Sequence, residues 1–369
     1  MAVPVLYVIH EMADKTAARQ LQELVLHLDP IFRPIVCSLG AGPTFPALAE
    51  TGVAVQRLPQ HRAGDRVWGL AGLVRSCRPH IVHAFGARGH LWATPLARTL
   101  KVRVALYSEH SSVRDRKGSR WLQRLNGFAS RLDDVVVAPS QAQALRLLRE
   151  GCSTPAKVRV IPDGVDLSRY HPSADGRLRA ALGLSEHVPI VASVIEFAAQ
   201  GAGDDLFEAA QALVRLGVAC QFVCAGDGPQ RPTAEARVRS LGLERRLSFL
   251  GRCADVPALL AAADVVFLPS CGGDLPGLVL GAMASGRPVV CSAAGAFAEA
   301  VLEGQTGYLV PPGHVARLAG ALARLVSDPG LARALGEAGR RRAAQQFDAQ
   351  VSLRRMQQLY LDLLAQKRS

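Results

Sequence analysis

The sequence predicts an α/β protein with two doubly wound parallel sheets, and three observations lead to this prediction. The chain has 369 residues, more than a single hydrophobic core usually serves, so two domains are expected. Short apolar segments rich in β-branched residues alternate with amphipathic helical segments along the chain. Glycine-rich loops follow several of these apolar segments, where open α/β sheets bind ligands. We therefore expect two domains, 1–170 and 171–369.

The first half begins with a βαβαβ pattern. Val3–Ile9 is predicted to be a strand, and the segment after it carries leucines and a valine at helical spacing. Two later strands end in histidines, at His83 and His110. Parallel strands end at one edge of a sheet, so both histidines are candidates for a ligand contact or a base. A solvated loop position is the equal alternative for each.

The second half begins after a connector, PDGVDLSRYHP, whose proline and glycine residues mark the domain boundary near residue 170. Beyond it, apolar strands again alternate with helical segments, and the end of the chain is helical except for a break at 328–330. The stretch SCGGDLPG lies between predicted strands at 265–268 and 288–291. Its position after a buried strand predicts a ligand-binding loop.

The composition indicates the kind of ligand and the cellular compartment that we expect for this protein. The net charge of +12 and a pI near 9.8 favour anionic ligands or surfaces. The 8 cysteines form no C-x-x-C pair, which indicates reduced, buried thiols in a cytosolic protein and no zinc site. The first ten residues resemble a strand rather than a signal peptide, and no apolar segment approaches the roughly 20 residues of a membrane span. We expect a cytoplasmic protein, soluble or peripheral on the inner face of the membrane.

A basic segment after His110 alternates arginines with apolar residues. On a helix it forms an amphipathic surface suited to anionic lipid, with candidate contacts at Arg116, Lys117, Arg120, Trp121 and Arg124. Such segments more often form an ordinary surface helix whose arginines are solvated. Nucleic-acid binding is not expected, because no recognition motif accompanies the basic residues.

Five motifs carry a family resemblance. VRVIPDGVDLSRYHP, AGDGP, FLGRCADVPALLAAADVVFLPS, LPGLVLGAMASGRPVV and EGQTGYLVPPG closely resemble the family 4 glycosyltransferases of the GT-B fold, in order and over nearly the whole chain. The resemblance implies two Rossmann-like domains facing a central cleft, with the C-terminal helix crossing back to the N-terminal domain. It also implies retaining transfer of a sugar from a nucleotide-sugar donor, without a metal or other cofactor, to a lipid-linked or small-molecule acceptor.

The family's donor contacts are substituted in this sequence. In the family's register, an Arg and a Lys that face the diphosphate become Glu196 and Gly201, and two Glu residues become Gly273 and Gly281. Arg252 or Arg287 could supply the missing positive charge. The donor-side candidates implied by the alignment are Glu196, Gly201, Gly226, Gly228, Gly273, Asp274, Gly281 and Glu299. The acceptor-side candidates are Lys15, Thr16 and His83, and the catalytic candidate is His110.

Three hypotheses follow from this resemblance and its departures. The first is a glycosyltransferase with atypical donor contacts. The second is a catalytically inactive member that binds a partner protein or retains an acceptor-like ligand. A nucleotide-sugar epimerase is a weaker third, because the motifs match the transferases and an epimerase needs the same donor contacts. Replacing an Arg that faces a diphosphate by Glu196 exchanges attraction for repulsion, which opposes the first hypothesis.

Overall fold

The computed structural model describes residues 2–10, 16–40, 48–58, 63–110, 120–173, 176–185, 187–198, 201–269, 276–293 and 295–367. The chain divides into two compact units. Unit 1 consists of Met1–Gly164 together with Ala349–Ser369, and unit 2 consists of Val165–Asp348. The sequence predicts a boundary near residue 170, and the family resemblance implies a C-terminal helix that crosses back to the N-terminal domain. In the structure the last helix is part of unit 1.

Unit 1 is built on a seven-stranded parallel sheet in the order β3-β2-β1-β4-β5-β6-β7. The order reverses direction at β1, as in doubly wound sheets, because β1 pairs with both β2 and β4. The strands are β1 Val3–Ile9, β2 Phe32–Ser38, β3 Ala54–Arg57, β4 Ile81–Phe85, β5 Val104–Ser108, β6 Val135–Ala138 and β7 Val158–Val160.

Unit 2 is built on a six-stranded parallel sheet in the order β10-β9-β8-β11-β12-β13. Its central strands are short and fully buried, which is the pattern expected where helices cover both faces of a sheet. The strands are β8 Ile190–Val194, β9 Gln221–Ala225, β10 Leu247–Gly251, β11 Val265–Leu268, β12 Val289–Ser292 and β13 Gly307–Val310.

Helices connect the strands and cover both sheets. In unit 1 they are α1 Thr16–Leu26, α2 Ala63–Cys77, α3 Ala87–Thr99, α4 Arg120–Ser130 and α5 Gln141–Arg149. In unit 2 they are α6 Arg177–Ala181, α7 Asp204–Arg215, α8 Arg231–Ser240, α9 Val256–Ala262, α10 Pro276–Ala284, α11 Phe297–Ala300, α12 Val315–Ser327 and α13 Pro329–Gln346. The last helix, α14 Ala349–Gln366, returns to unit 1.

Each face of the unit 1 sheet has its own hydrophobic core. Tyr7 and Phe85 share one core with α1 and with Tyr360 of α14. Val82 and Tyr107 belong to the other core, together with residues of α2, α3 and α5. This division follows from the alternation of side chains along a strand. Successive residues of β5 therefore point toward opposite faces of the sheet. The polar residues at the end of β5 are divided between the two faces in the same way.

Candidate active site

His110 lies two residues beyond the end of β5 and forms a close pair with an acidic residue of the connector. Its Nε2 is 3.0 Å from Oδ1 of Asp163, and the two side chains are only 6% and 7% exposed. The ring of Phe85 stacks on the imidazole, with the centroids 5.4 Å apart and the planes at 12°. A hydrogen bond at one edge and an aromatic ring against one face fix the orientation of the imidazole.

The pKa of His110 is raised above its ordinary value. Burial lowers it, but the charge and hydrogen bond of Asp163, the charge of Glu109 and the backbone of Ser108 outweigh burial. The protonated ring is therefore favoured in the folded protein. Nδ1 of His110 is buried and has no well-formed hydrogen bond in the described part of the chain.

A small cavity of about 60 Å³ adjoins this pair. It lies at the carboxyl edge of the unit 1 sheet, the edge predicted from the sequence to carry a site. Polar groups of α1, the strand ends and the connector contribute to its wall, and apolar residues of α14 close it. The wall includes Gln20, Glu23, His27, Ser108, His110, Asp163 and Met356.

His83, which is predicted from the sequence to lie on the acceptor side, is a buried residue of unit 1. It is fully buried in β4, with Nδ1 2.6 Å from Oη of Tyr360 and Nε2 2.7 Å from Oγ of Ser108. Burial and the nearby His110 hold its pKa well below the ordinary value. Both ring nitrogens are engaged by hydroxyl groups, so His83 offers no nitrogen to an acceptor in this arrangement.

A second buried histidine lies on the opposite face of the sheet, and the sequence analysis did not single it out. His90 of α3 has Nε2 2.7 Å from Oδ2 of Asp133 and Nδ1 2.9 Å from Oδ1 of Asn126. Its ring stacks on Tyr107, with centroids 4.0 Å apart. Tyr107 in turn donates a hydrogen bond of 2.7 Å to Glu109. This buried network joins α3 and α4 to the strand that carries His110.

In unit 2, a pocket of about 480 Å³ opens where β8, β9 and β10 end. This volume lies within the range of small-molecule sites. The pocket combines an apolar floor with exposed charged residues and the backbone of the AGDGP turn. Its wall consists of Val194, Glu196, Ala225, Gly226, Asp227, Gly228, Arg252, Cys253 and Val256.

Gly226 and Gly228 bring the AGDGP turn against the loop that carries Glu196. A Cβ on Gly226 would lie 1.9 Å from the carbonyl oxygen of Ile195, and one on Gly228 would lie 2.4 Å from that of Phe197. Their φ angles of 131° and 152° are ones that other residues rarely adopt. The two glycines therefore fix the position of the loop that borders the pocket.

Three charged residues line this pocket: Glu196, Asp227 and Arg252. Glu196 is exposed between the buried Ile195 and Phe197, and Arg252 is also exposed, just after β10. Arg287, the other arginine considered as a substitute, is occupied elsewhere: its Nη2 donates to the carbonyl oxygens of Ala261 and Ser173. Of these two arginines, Arg252 is therefore the one that lines the same pocket as Glu196.

Gly281 on α10 has no open space for a side chain. A Cβ there would lie 2.7 Å from Cε1 of Tyr170 and 3.3 Å from Cδ1 of Leu260. The ring of Tyr170, from the connector, thus covers the position where the family pattern has a carboxylate. A glutamate at 281 requires this ring to move.

The remaining donor-side candidates occupy different surroundings. Gly201 has a φ of 76°, a conformation that disfavours the lysine expected from the family pattern. Glu299 lies in α11, and Arg342 donates hydrogen bonds of 2.9 Å and 2.8 Å to the backbone oxygens of Glu299 and Ala300. Arg342 thereby fixes the end of α11 and the backbone of Glu299.

Several predicted site residues are not fully described. Lys15, Gly273, Asp274, Arg116 and Lys117 lie outside the described residues. Thr16, Arg120 and Trp121 are described only as parts of their helices. The sequence predictions for these eight positions stand as predictions.

The predicted membrane-binding helix presents apolar and basic groups to solvent. On α4, Arg124 is exposed, and Leu125 and Phe128 are 47% and 64% exposed. The inner side of the same helix holds Asn126, which bonds His90. None of the helices in the described ranges has the length and apolarity needed to cross a bilayer.

The acidic, histidine and cysteine side chains of the described ranges were compared with the arrangements that hold metal ions. No group of three or more His, Cys, Asp or Glu side chains is arranged there to hold a metal ion. Burial is the main influence on the thiols of Cys37, Cys220 and Cys291, and it raises their pKa values to about 12, 11 and 12. These thiols remain protonated and unreactive at neutral pH.

Comparison with protein families finds two matches along the chain. Residues 17–169 match the model described as "Glycosyltransferase Family 4". Residues 188–328 match the model described as "Glycosyl transferases group 1". The first match falls largely in unit 1 and the second within unit 2.

Curated relatives carry glycosyltransferase names. A 2-deoxystreptamine glucosyltransferase of Streptomyces kanamyceticus is 29% identical over 327 residues, which cover 80% of this chain and 84% of the relative. A D-inositol 3-phosphate glycosyltransferase of Kribbella flavida is 32% identical over 261 residues, covering 67% of this chain and 61% of the relative. Against several further relatives of the second name, the alignment spans about half of the relative's length.

Solved structures share the fold over nearly the whole chain. Anabaena HepE, solved in complex with UDP and glucose, has a TM-score of 0.84 and 20% identity, covering 98% of this chain and 100% of that protein. The lipopolysaccharide outer core galactosyltransferase WaaB has a TM-score of 0.75 and 15% identity, covering 98% and 99%. At these identities the similarity concerns the fold.

The predicted fold class is confirmed, because both units are Rossmann-like parallel sheets and the structural neighbours are GT-B glycosyltransferases. The resemblance noted in the five motifs agrees with the two family matches, which lie in the expected order along the chain. Together, the family matches and the relatives show that most of this chain is similar to glycosyltransferases, including those of family 4.

Proposed function

We propose that this protein transfers a sugar from a nucleotide-sugar donor, with unit 2 holding the nucleotide. The observation that carries this proposal is the pocket of about 480 Å³ at the ends of β8, β9 and β10, where Arg252 supplies a positive charge. A pocket at the carboxyl edge of a parallel sheet is the usual place for a nucleotide. A neighbour of the same fold, HepE, was solved with UDP and glucose.

The reaction proposed is a retaining glycosyl transfer. The bond between C1 of the sugar and the diphosphate oxygen breaks, and the electron pair leaves with the nucleoside diphosphate. An acceptor hydroxyl oxygen forms a bond to C1 on the same face, and its proton passes to the departing diphosphate. Positive charge near the diphosphate lowers the barrier, because negative charge develops there as the bond breaks. Arg252 is the residue proposed to supply it.

The acceptor is proposed to be a small molecule or a lipid-linked sugar. Support for a small molecule comes from the two relatives named for 2-deoxystreptamine and for D-inositol 3-phosphate. His110, at the cavity of unit 1, is the residue proposed to act at the reacting centre. Its orientation is fixed by neighbouring side chains, as efficient catalysis requires.

Calorimetric titration tests the donor half of this proposal. The purified protein is titrated with UDP, GDP and ADP, and then with the glucose ester of each nucleotide. Saturable heat with one nucleotide, weakened by Arg252→Ala and retained in Arg245→Ala, is the expected result. Arg245 is a suitable control because it is exposed in the same unit and does not line the pocket. Absence of heat with all six compounds contradicts the proposal.

Two observations favour a second candidate, a catalytically inactive member that binds a partner or an acceptor-like ligand. Glu196 places a carboxylate at the pocket, and Tyr170 covers the position of Gly281. An anionic donor meets repulsion at the first, and at the second Gly281 lacks the carboxylate that the family resemblance implies. Product analysis with radiolabelled donor and a panel of cyclitol acceptors decides between the candidates, since only the enzyme releases nucleoside diphosphate in step with glycosylated product.

Peripheral attachment to the cytoplasmic face of the membrane is proposed from α4. Its exposed Leu125 and Phe128 lie beside Arg124, in a segment rich in basic residues. Flotation with vesicles containing anionic phosphatidylglycerol is expected to carry the protein upward. The variant with Ala at Arg116, Lys117, Arg120 and Arg124 is expected to stay at the bottom. Equal flotation of both proteins leaves α4 as an ordinary surface helix.

A further inference from the structure

The connector residue Asp163 has no role in the reaction as described so far. We propose that Asp163 is a positioning residue for His110, which fixes the orientation and tautomer of the imidazole. The proposal rests on the proposed function only for its catalytic consequence. The arrangement itself can be tested without any turnover.

The hydrogen bond determines which nitrogen carries the proton. Oδ1 of Asp163 lies 3.0 Å from Nε2 of His110, and an ionised carboxylate can only accept. Nε2 must therefore carry a hydrogen in both the neutral and the charged ring. Nδ1 becomes the nitrogen whose protonation can change, and among the described residues it has no well-formed hydrogen bond.

Packing also restricts the rotation of the His110 imidazole. Phe85 stacks on the imidazole at 12°, so rotation about the Cβ–Cγ bond would drive the ring edge into Phe85. Asp163 is itself only 7% exposed and cannot swing into solvent while it is paired. The pair therefore has one preferred geometry, which is the condition for a group that must meet a reacting atom at a fixed distance.

The connector is held by contacts within unit 1. A Cβ on Gly164 would lie 2.3 Å from Cα of Ala349, so the connector crosses directly over the start of α14. Oγ of Ser352 donates a hydrogen bond of 2.6 Å to the carbonyl oxygen of Pro162. The residues on both sides of Asp163 are thus attached to α14, and a glycine at 164 is what permits so close a crossing.

Charge also links the two residues. Burial alone lowers the pKa of His110, and Asp163 is the largest influence in the opposite direction. Removing the Asp163 charge while keeping its shape should therefore lower the pKa of His110 and leave the fold intact. The other ionisable groups around His110 or its cavity are Glu109 beside it in the chain, His83 on β4, and Glu23 and His27 of α1.

The test is an NMR titration of protein labelled with ¹⁵N at its histidine rings, in the wild type and in Asp163→Asn. His110→Gln identifies the resonances. We expect the His110 pKa to fall in Asp163→Asn, and the ¹⁵N shifts of its neutral ring to lose the pure Nε2–H signature. Asp166→Asn serves as the matched control, because it removes the same charge three residues along the connector and Asp166 bonds Ser168 instead.

The pKa and tautomer of His110 test the positioning role of Asp163 independently of whether the protein transfers sugar. An unchanged pKa and unchanged tautomer in Asp163→Asn overturn the positioning role, whether or not the protein transfers sugar. Where transfer is measurable, kcat in Asp163→Asn is expected to fall at least about tenfold with nucleotide affinity unchanged. If Asp163→Asn fails to fold, Ser352→Ala replaces it. Loss of the bond to Pro162 should then shift the His110 resonances in the same direction, and no shift overturns the proposal.

Discussion

The candidate groups of unit 1 are enclosed and mutually paired, whereas those of unit 2 are open and unlike the family pattern. In unit 1, His110 meets Asp163 and His83 meets two hydroxyl groups, all away from solvent. In unit 2, Glu196 and Arg252 are exposed at the rim of a large pocket. The side chains of unit 1 have partners within the chain, while the pocket of unit 2 has room for a ligand.

This difference teaches where substitution is tolerated. A buried charge that loses its partner costs several kcal/mol, so a buried pair changes only when both members change together. An exposed charge at a pocket rim is hydrated, and replacing it alters affinity while leaving the fold nearly unaffected. The exposed Glu196 is therefore compatible with a stable unit 2, and unit 1 is the region where single changes should be most disruptive.

The largest effect is expected for Asp133→Ala. This change leaves His90 buried without its acidic partner and removes the acceptor of Thr94 Oγ1, which lies 2.8 Å from Oδ1 of Asp133. We expect a loss of about 3–5 kcal/mol in the free energy of unfolding. Urea denaturation followed by circular dichroism measures it. The control is Asp134→Asn, which changes the partly exposed neighbour. If Asp133→Ala loses less unfolding free energy than Asp134→Asn, the buried pair of His90 and Asp133 does not stabilise unit 1.

Gly226→Ala should produce the largest loss of stability within unit 2. The new methyl group overlaps the carbonyl of Ile195 at a φ of 131°, so the pocket loop must shift. We expect a loss of about 3 kcal/mol. Gly217→Ala is the control, because its φ of 70° is also strained but nothing lies within 4 Å of the new Cβ. Equal losses in the two variants indicate that the close approach of the loops contributes nothing.

Gly281→Glu tests whether the family carboxylate can be restored singly. Its Cβ meets the ring of Tyr170 at 2.7 Å, and we expect a loss of about 2 kcal/mol in stability with no gain in nucleotide affinity. In the double variant with Tyr170→Ala the clash is relieved, so the two changes should be less than additive. A double-mutant cycle by thermal unfolding measures this coupling. Strict additivity shows that Tyr170 does not block the position.

The smallest effect is expected at the pocket rim. Glu196→Gln removes a negative charge facing the proposed diphosphate, and we expect nucleotide-sugar affinity to rise about fivefold, with stability unchanged. Isothermal titration at two salt concentrations measures it, and the gain should shrink as salt rises. Glu208→Gln, on the exposed face of α7, is the control for net charge. Affinity that falls in Glu196→Gln indicates that this carboxylate binds the ligand.

Much of the fold could be predicted because alternation and turn residues are local signals. The strand expected at 288–291 is found at Val289–Ser292, and both sheets are parallel as predicted. The expectation that His110 lies at the end of a strand also depended only on nearby sequence. Such predictions succeed because burial of short apolar strands between helices leaves few alternatives.

The partners of the histidines could not be predicted, because they come from distant parts of the chain. Tyr360 lies 277 residues from His83, and Asp163 lies 53 residues from His110. Asp163 was interpreted as part of a connector, since PDGVD has the composition of a turn. The contact between Tyr170 and Gly281 could not be predicted either, because nothing in the sequence of α10 indicates that Tyr170 packs on it. Each of these contacts depends on how elements are brought together by tertiary packing.

The return of the last helix to unit 1 has a consequence for synthesis on the ribosome. Leu353, Met356 and Tyr360 of α14 belong to the core beneath β1 and β4, so that core is incomplete until α14 has left the exit tunnel. Unit 2 lies within the chain and contains its own cores, and it can fold first although it is made second. Nascent chains lacking α14 should therefore expose an apolar surface of unit 1 to chaperones.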